Sequence, residues 1–223
     1  MLLAFPFLLL RLIVVIFLSV AHTIMVMIMS NVSIDMVDHG FSFEAAALVM
    51  EIHFAAMFVP GFFSGLLIEK QGTFFVALVG GLIFAASSLV LAIRSEDWNF
   101  MLGMALLGVA WNFSFSAGTL MLTHCYKPIE ATEVQAVNDF ILFTVAGGGS
   151  LVSGIIYSAY GSYYISIRSP IRVFLIFLLT QYPLYRLHTY LHNRLVGFNI
   201  RIICIGKYCC LILIHVYALS GMM

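Results

Sequence analysis

The sequence predicts an all-α fold, a polytopic membrane bundle of about six transmembrane helices. Three observations carry that prediction. Of 223 residues, 63% are apolar and only 9% are charged, with a mean hydropathy of +1.09; soluble domains average about 45–50% apolar and about 25% charged. The apolar residues fall into runs near the ~20 residues of helix that cross a bilayer core. These runs are continuous, whereas the strands of a membrane barrel would alternate over about ten residues. The same composition excludes a soluble globular enzyme and intrinsic disorder. A nucleic-acid binder needs a basic face, which a net charge of zero does not supply.

The zero conceals two unlike parts. Residues 1–139 hold all ten acids against four bases, a net of −6. Residues 140–223 hold six bases and no acid, a net of +6. Cys125, Cys204, Cys209 and Cys210 show no paired spacing, so free thiols are expected, with neither disulfide nor metal site.

The first apolar run covers Leu12 to Ile34. It lacks a basic leader before Arg11 and a small-residue cleavage site, and reads as a retained span. After the joint Asp38-His39-Gly40-Phe41-Ser42, Ser42 can cap a second helix with Glu44 in its first turn. That helix reaches about Ile68, and Pro60 should kink it by removing a backbone donor. Glu69-Lys70-Gln71-Gly72 reads as a tight polar turn. Thr73 to Ile93 is an uncharged third span, and the joint Arg94-Ser95-Glu96-Asp97 leads into a fourth, Trp98 to about His124. Pro128 and the acids after it suit the start of a fifth helix, Val134 to Tyr160. Beyond Gly161 the chain turns rich in Ile, Tyr, Leu and Arg. Val173 to Tyr185 and Ile202 to Leu219 supply one or two further spans. Short joints make neighbouring spans antiparallel.

Helical spacing gathers polar and small residues onto single faces. In the fifth span these are Gln135, Asn138, Asp139, Ala146, Gly149, Ser150 and Ser153; in the fourth, Ala105, Gly108, Asn112, Ser116, Thr119 and Thr123. The second span carries His53, Met57, Gly61 and Ser64, and the first Ser19, Thr23, Ser30 and Ser33. Small residues let helices approach in lipid, so each stripe alone reads equally well as a packing surface. A wet path between helices better explains why Gln, Asn, Asp and His accompany them. An intramembrane charge costs a few kcal/mol and faces protein or water. His53, Glu51 and Asp139 are therefore candidate proton carriers or substrate contacts, against the alternative that they only bond a neighbouring helix.

Other patterns carry less. His188 and His192 have the spacing of a metal pair without a third ligand. Two glycosylation sequons, at Asn31 and Asn112, lie in or beside spans. Gly147-Gly148-Gly149 lacks the Lys-Ser/Thr of a phosphate loop. No catalytic constellation is visible, so an enzyme is not expected, and no cofactor is implied.

The stretch Gly65-Leu-Leu-Ile-Glu69-Lys70-Gln71-Gly72 resembles the cytoplasmic loop signature of the major facilitator superfamily, Gly-x-Leu-x-Asp-Arg/Lys-x-Gly. Glu69 replaces Asp, and Thr73 and Phe74 stand where basic residues are usual. The run from Glu51 to Gly65 is similar to the eighth span of a bacterial subgroup of these transporters. Leu106 to Phe113 is similar to the tenth, and Glu133 to Phe140 to the start of the eleventh. The resemblance covers about residues 20–161, the length of spans seven to eleven of a twelve-span fold. It stops at Gly161-Ser162, where the family continues with Gly-Trp into a twelfth span.

The resemblance implies two units: residues 1–161, a major-facilitator-like transmembrane half-domain, and residues 162–223, a divergent basic tail read as a frameshifted or wrongly joined segment. It implies a fragment of a secondary active transporter that moves a small solute by alternating access, with proton coupling through His53 or Asp139 left open. The alternative is a non-transporting membrane protein acting as an assembly or regulatory partner. The candidate pathway residues are His53, Glu51, Asn112, Gln135, Asn138 and Asp139; the candidate gating loop is Gly65, Glu69, Lys70 and Gly72. Implied partners are the lipid bilayer, a small-molecule solute, and the missing N-terminal half or a second copy, with no nucleic acid. The implied location is the bacterial inner (plasma) membrane with the Glu69–Gly72 loop cytoplasmic, an orientation that Lys70 and Lys127 only weakly support by positive-inside counting.

Overall fold

A computed structural model describes residues 4–93 and 96–160, together with the short strands β1 (Ile203–Cys204) and β2 (Cys210–Leu211), which pair antiparallel. The further span drawn at 173–185, the His188/His192 pair, Arg94 and the six bases from Arg168 to Lys207 lie outside the described residues; of the span drawn at 202–219 only the two strands are described, and there the expectation of a helix is corrected, because their backbone groups pair with each other instead of along one helix.

Among the described residues six α-helices form the bundle: α1 (Ala4–Asp38), α2 (Phe43–Phe58), α3 (Gly61–Gln71), α4 (Thr73–Leu91), α5 (Asp97–Thr123) and α6 (Ala131–Tyr160). A single 3₁₀ turn, Pro128–Glu130, leads into α6. Four of the helices are long and apolar enough to cross a membrane, and the bent pair α2–α3 brings the number to as many as five. The fold is the expected all-α membrane helix bundle.

The local chemistry explains the boundaries. Ser42 has extended backbone angles, and its hydroxyl accepts from the Ala45 amide at 3.1 Å, capping α2 with Glu44 in the first turn. The chain bends by 41° between α2 and α3, where Pro60 has no amide to continue the ladder. Two expectations need correction. The Asp38 joint begins later than expected, because α1 continues through Asp38 and the chain turns at Gly40, which has a φ of 86°. Glu69-Lys70-Gln71 is not a turn: these residues complete α3, where Lys70 lies favourably near the negative end of the helix. The whole reversal falls on Gly72, at φ 89°, a left-handed conformation that glycine adopts without a Cβ clash.

Helix α5 is the central post, packing on α4, α2 and α1, while α6 lies along α1. Its buried residues, including Asn99, Gly103, Gly108, Asn112 and Ser114, are largely small or polar. The Ser87 hydroxyl of α4 donates to the Gly103 carbonyl of α5 at 2.7 Å. Two apolar clusters complete the interior. One gathers Ile24, Val49, Phe84, Phe100 and Met104, and the other gathers Phe17, Leu18, Val76, Leu122 and Leu142.

The α2–α5 crossing is tightest at Gly108. A Cβ there would lie 2.7 Å from the His53 carbonyl and 2.9 Å from the Met57 amide nitrogen, both backbone atoms that cannot rotate away. Gly108→Leu should therefore cost about 1–3 kcal/mol and lower the thermal midpoint of the detergent-solubilised protein. Gly154→Ala, where nothing lies within 4 Å, should leave that midpoint unchanged apart from any gain in helix propensity. Circular dichroism melting compares the two, and equal midpoints would refute the close crossing.

Candidate functional site

The site is built where two of the predicted stripes meet. Helix α2 turns Ala46, Val49, His53 and Met57 inward, a spacing that keeps one face towards α5. His53 is fully buried, and its Nδ1 lies 2.9 Å from the Met104 carbonyl of α5. A carbonyl only accepts, so Nδ1 carries the proton and Nε2 is left as a bare lone pair. That Nε2 is buried with no hydrogen-bond partner. Two turns further along α5, Asn112 donates from Nδ2 to the Met57 carbonyl of α2 at 2.8 Å. Its Oδ1 is likewise buried and unpartnered. Ser64 of α3 reaches Ser116 of α5 at 3.4 Å and continues the seam. Each buried polar atom without a partner costs about 1–3 kcal/mol, so two aligned acceptors on one seam are a local expense that packing alone does not require.

The other two stripes also meet each other. Ser30 of α1 lies 3.0 Å from Ser150 of α6, and Asn31 donates to Ser153 at 2.9 Å. These contacts satisfy the packing reading for that part of α6. The remaining α6 candidates sit near its first turns. Asn138 is buried and donates to the Asp139 carboxylate at 3.1 Å, while Asp139 itself is exposed. Gln135 donates to the Tyr126 hydroxyl at 2.8 Å. Glu51 is exposed, on the side of α2 away from His53. His53 and Asn112 are thus brought to one seam, while Gln135, Asn138 and Asp139 group together on α6 and Glu51 stands apart. Of the loop candidates, Gly65, Glu69 and Lys70 are exposed and Gly72 is buried. Among the described residues no group of three or more His, Cys, Asp or Glu side chains could hold a metal.

One hydrogen-bonded pair between distant helices is absent from the sequence reading. Trp111 of α5 donates from Nε1 to His22 Nδ1 of α1 at 2.9 Å, across 89 positions. His22 lies one helical turn from Ser19, on a stripe already noted for its hydroxyls, so a search of that stripe for ring nitrogens would have found it. Its partner had no such signal. At the opposite end from the Gly40 turn, Arg11 donates to the Cys125 carbonyl at 3.0 Å and pairs with Glu130 at 3.3 Å, tying α1 to the approach to α6.

Comparison with known proteins follows this geometry. A riboflavin transporter of Brucella anthropi, RfnT, is 34% identical over 134 residues, which are 60% of this chain and 34% of that protein. The MFS-type transporter YddS of Bacillus subtilis is 33% identical over 145 residues, 64% of this chain and 33% of its own length. A second B. subtilis MFS-type transporter, YdeG, is 26% identical over 146 residues, 65% of this chain and 34% of its own. The matched stretch is similar to proteins named as riboflavin or MFS-type transporters. The chain spans about one third of the length of these major facilitator relatives. No family model matches the chain, and no solved structure matches it. Apolar helices and transporter relatives together make this an integral membrane protein.

Cys125 sits in the joint after α5, beside Arg11. Burial pushes its thiol up to about 12, outweighing the opposing pull of the guanidinium. A thiol with a raised pKa stays protonated and unreactive at neutral pH. With Cys204, Cys209 and Cys210 replaced by Ser, the folded protein should resist maleimide at pH 7–8, and reaction should appear only on unfolding in dodecyl sulfate. Mass spectrometry of native and unfolded samples reads the difference; rapid native labelling would show the joint to be open.

Proposed function

We propose that this chain is part of a secondary active transporter that moves a small solute across the bacterial inner membrane by alternating access. The carrying observation is the α2–α5 seam, where His53 Nε2 and Asn112 Oδ1 are buried acceptors without partners. The transporter names of the relatives support the reading. Buried polar atoms of this kind are the groups a passing solute or proton would engage. His53 Nε2 is the proposed proton acceptor, and Asn112 the proposed solute contact. Asp139 is exposed on α6 and is the second candidate for the proton path. In this reading residues 1–161 supply one half of the rocking pair, with the Glu69–Gly72 loop cytoplasmic, and a second half covers apolar side chains left exposed on α6, among them Phe140, Leu151 and Ile155. Riboflavin, from the name of one relative, is the first solute to try.

The test uses the reading frame restored from the neighbouring DNA. His53→Gln and Asn112→Ala should each lower transport by about tenfold or more, the scale of one lost buried polar contact. A protonophore should collapse uptake in the unsubstituted protein if His53 accepts the coupled proton. Unchanged transport in both variants, with loss of binding to another membrane protein, would instead favour an assembly or regulatory partner. In this reading the chain supplies only one half of the rocking pair, so alone in proteoliposomes it should show no uptake; uptake by the chain alone would overturn the half-transporter reading.

A further inference from the structure

The aromatic side chains between α1, α5 and α6 form a group that the seam does not use. Trp111 and Phe115 of α5 stack at 4.8 Å and 16°, and both are half-buried. His22 of α1 lies between them and α6: its ring is 5.9 Å from Trp111 and meets Phe143 of α6 edge-on at 5.5 Å and 88°. Phe143 is 64% exposed. Gly147 follows it one turn later on the same face, with nothing within 4 Å of where a side chain would begin. The space beside Phe143 at Gly147 is therefore open.

The hydrogen bonding of the group fixes its polarity. Indole Nε1 can only donate, so His22 Nδ1 accepts, and the neutral imidazole keeps its proton on Nε2. Among the described residues no acceptor takes that proton. The group thus offers aromatic faces and edges, one outward donor, and no charged side chain. Aromatic rings favour offset or edge-on aromatic neighbours, and an unmet donor among aromatic side chains favours a ligand bearing an acceptor.

We propose that His22, Trp111, Phe115 and Phe143 bind a neutral, planar heteroaromatic ring carrying a hydrogen-bond acceptor on its edge, with His22 Nε2 donating to that acceptor and Phe143 stacking on the ring. Calling this ligand a cargo rests on the transporter reading; the binding site itself does not.

Lumichrome, a neutral tricycle with ring carbonyls, is the probe, titrated against the purified chain in lipid nanodiscs and followed by its fluorescence anisotropy. Binding should saturate, and sorbitol in excess should not compete. Phe143→Ala, at an exposed position that leaves the fold intact, should weaken binding about fivefold. His22→Phe removes the donor and keeps the ring; it should weaken lumichrome about tenfold while leaving naphthalene, which has no acceptor, bound as before. Helix content by circular dichroism is measured on each variant. Absence of saturable binding overturns the site, as does unchanged affinity in Phe143→Ala, the result expected if that ring only faces lipid. If the restored full-length protein carries a ringless solute and lumichrome does not bind, this inference fails and the transporter reading stands. If lumichrome binds as described and no solute is carried, the transporter reading fails and the site stands.

Discussion

The bundle depends on a reciprocal pair of hydrogen bonds across the α2–α5 crossing. His53 of α2 donates to the Met104 carbonyl of α5, and Asn112 of α5 donates to the Met57 carbonyl of α2. In lipid there is no water to satisfy a buried donor, and apolar attraction between helices is weak. Each side chain therefore takes the second lone pair of a backbone carbonyl on its neighbour. That requires the backbones to come close, which Gly108 permits between the two bonds. The same arrangement recurs at the α4–α5 contact, where Ser87 donates to Gly103. One fixed crossing then sets which atoms remain unmatched: His53 Nε2 and Asn112 Oδ1 are left as acceptors on the seam.

Much of this was legible in the sequence because local chemistry decides it. Ser42 and Glu44 start a helix by capping and charge, and Pro60 breaks one by lacking an amide. The four stripes were legible as faces, and the structure pairs them, α2 with α5 and α1 with α6. Which stripe meets which was not written locally, since adjacency depends on the packing of the whole bundle. The end of α3 misled for a physical reason. Glu69, Lys70 and Gln71 are polar and read as a turn, yet all three are good helix formers, and only Gly72 can take the left-handed angle that ends the helix.

The candidate residues divide in the same way. His53 and Asn112 were found because a ring and an amide inside apolar text stand out. Their convergence needed three-dimensional contact, as did the pairing of His22 with Trp111 over 89 positions. Glu51 and Asp139 were chosen for their charge, and both stand at exposed positions. Of the four bases in residues 1–139, Arg11 is committed to an internal tie with Glu130. The acids Glu44, Glu69 and Glu96 sit at exposed helix ends.

Helix α3 has a mechanical property that follows from its two ends. Its eleven residues, about 16 Å of helix, lie between Pro60, where the ladder is already interrupted, and Gly72, where a single residue reverses the chain. Both ends are joints made of backbone geometry rather than of side-chain contacts. A tilt of this segment would need only a few dihedral angles at each joint and would keep its internal hydrogen bonds, but it would have to release the Ser64–Ser116 contact and the packing of Ile68, while α2 stays anchored to α5.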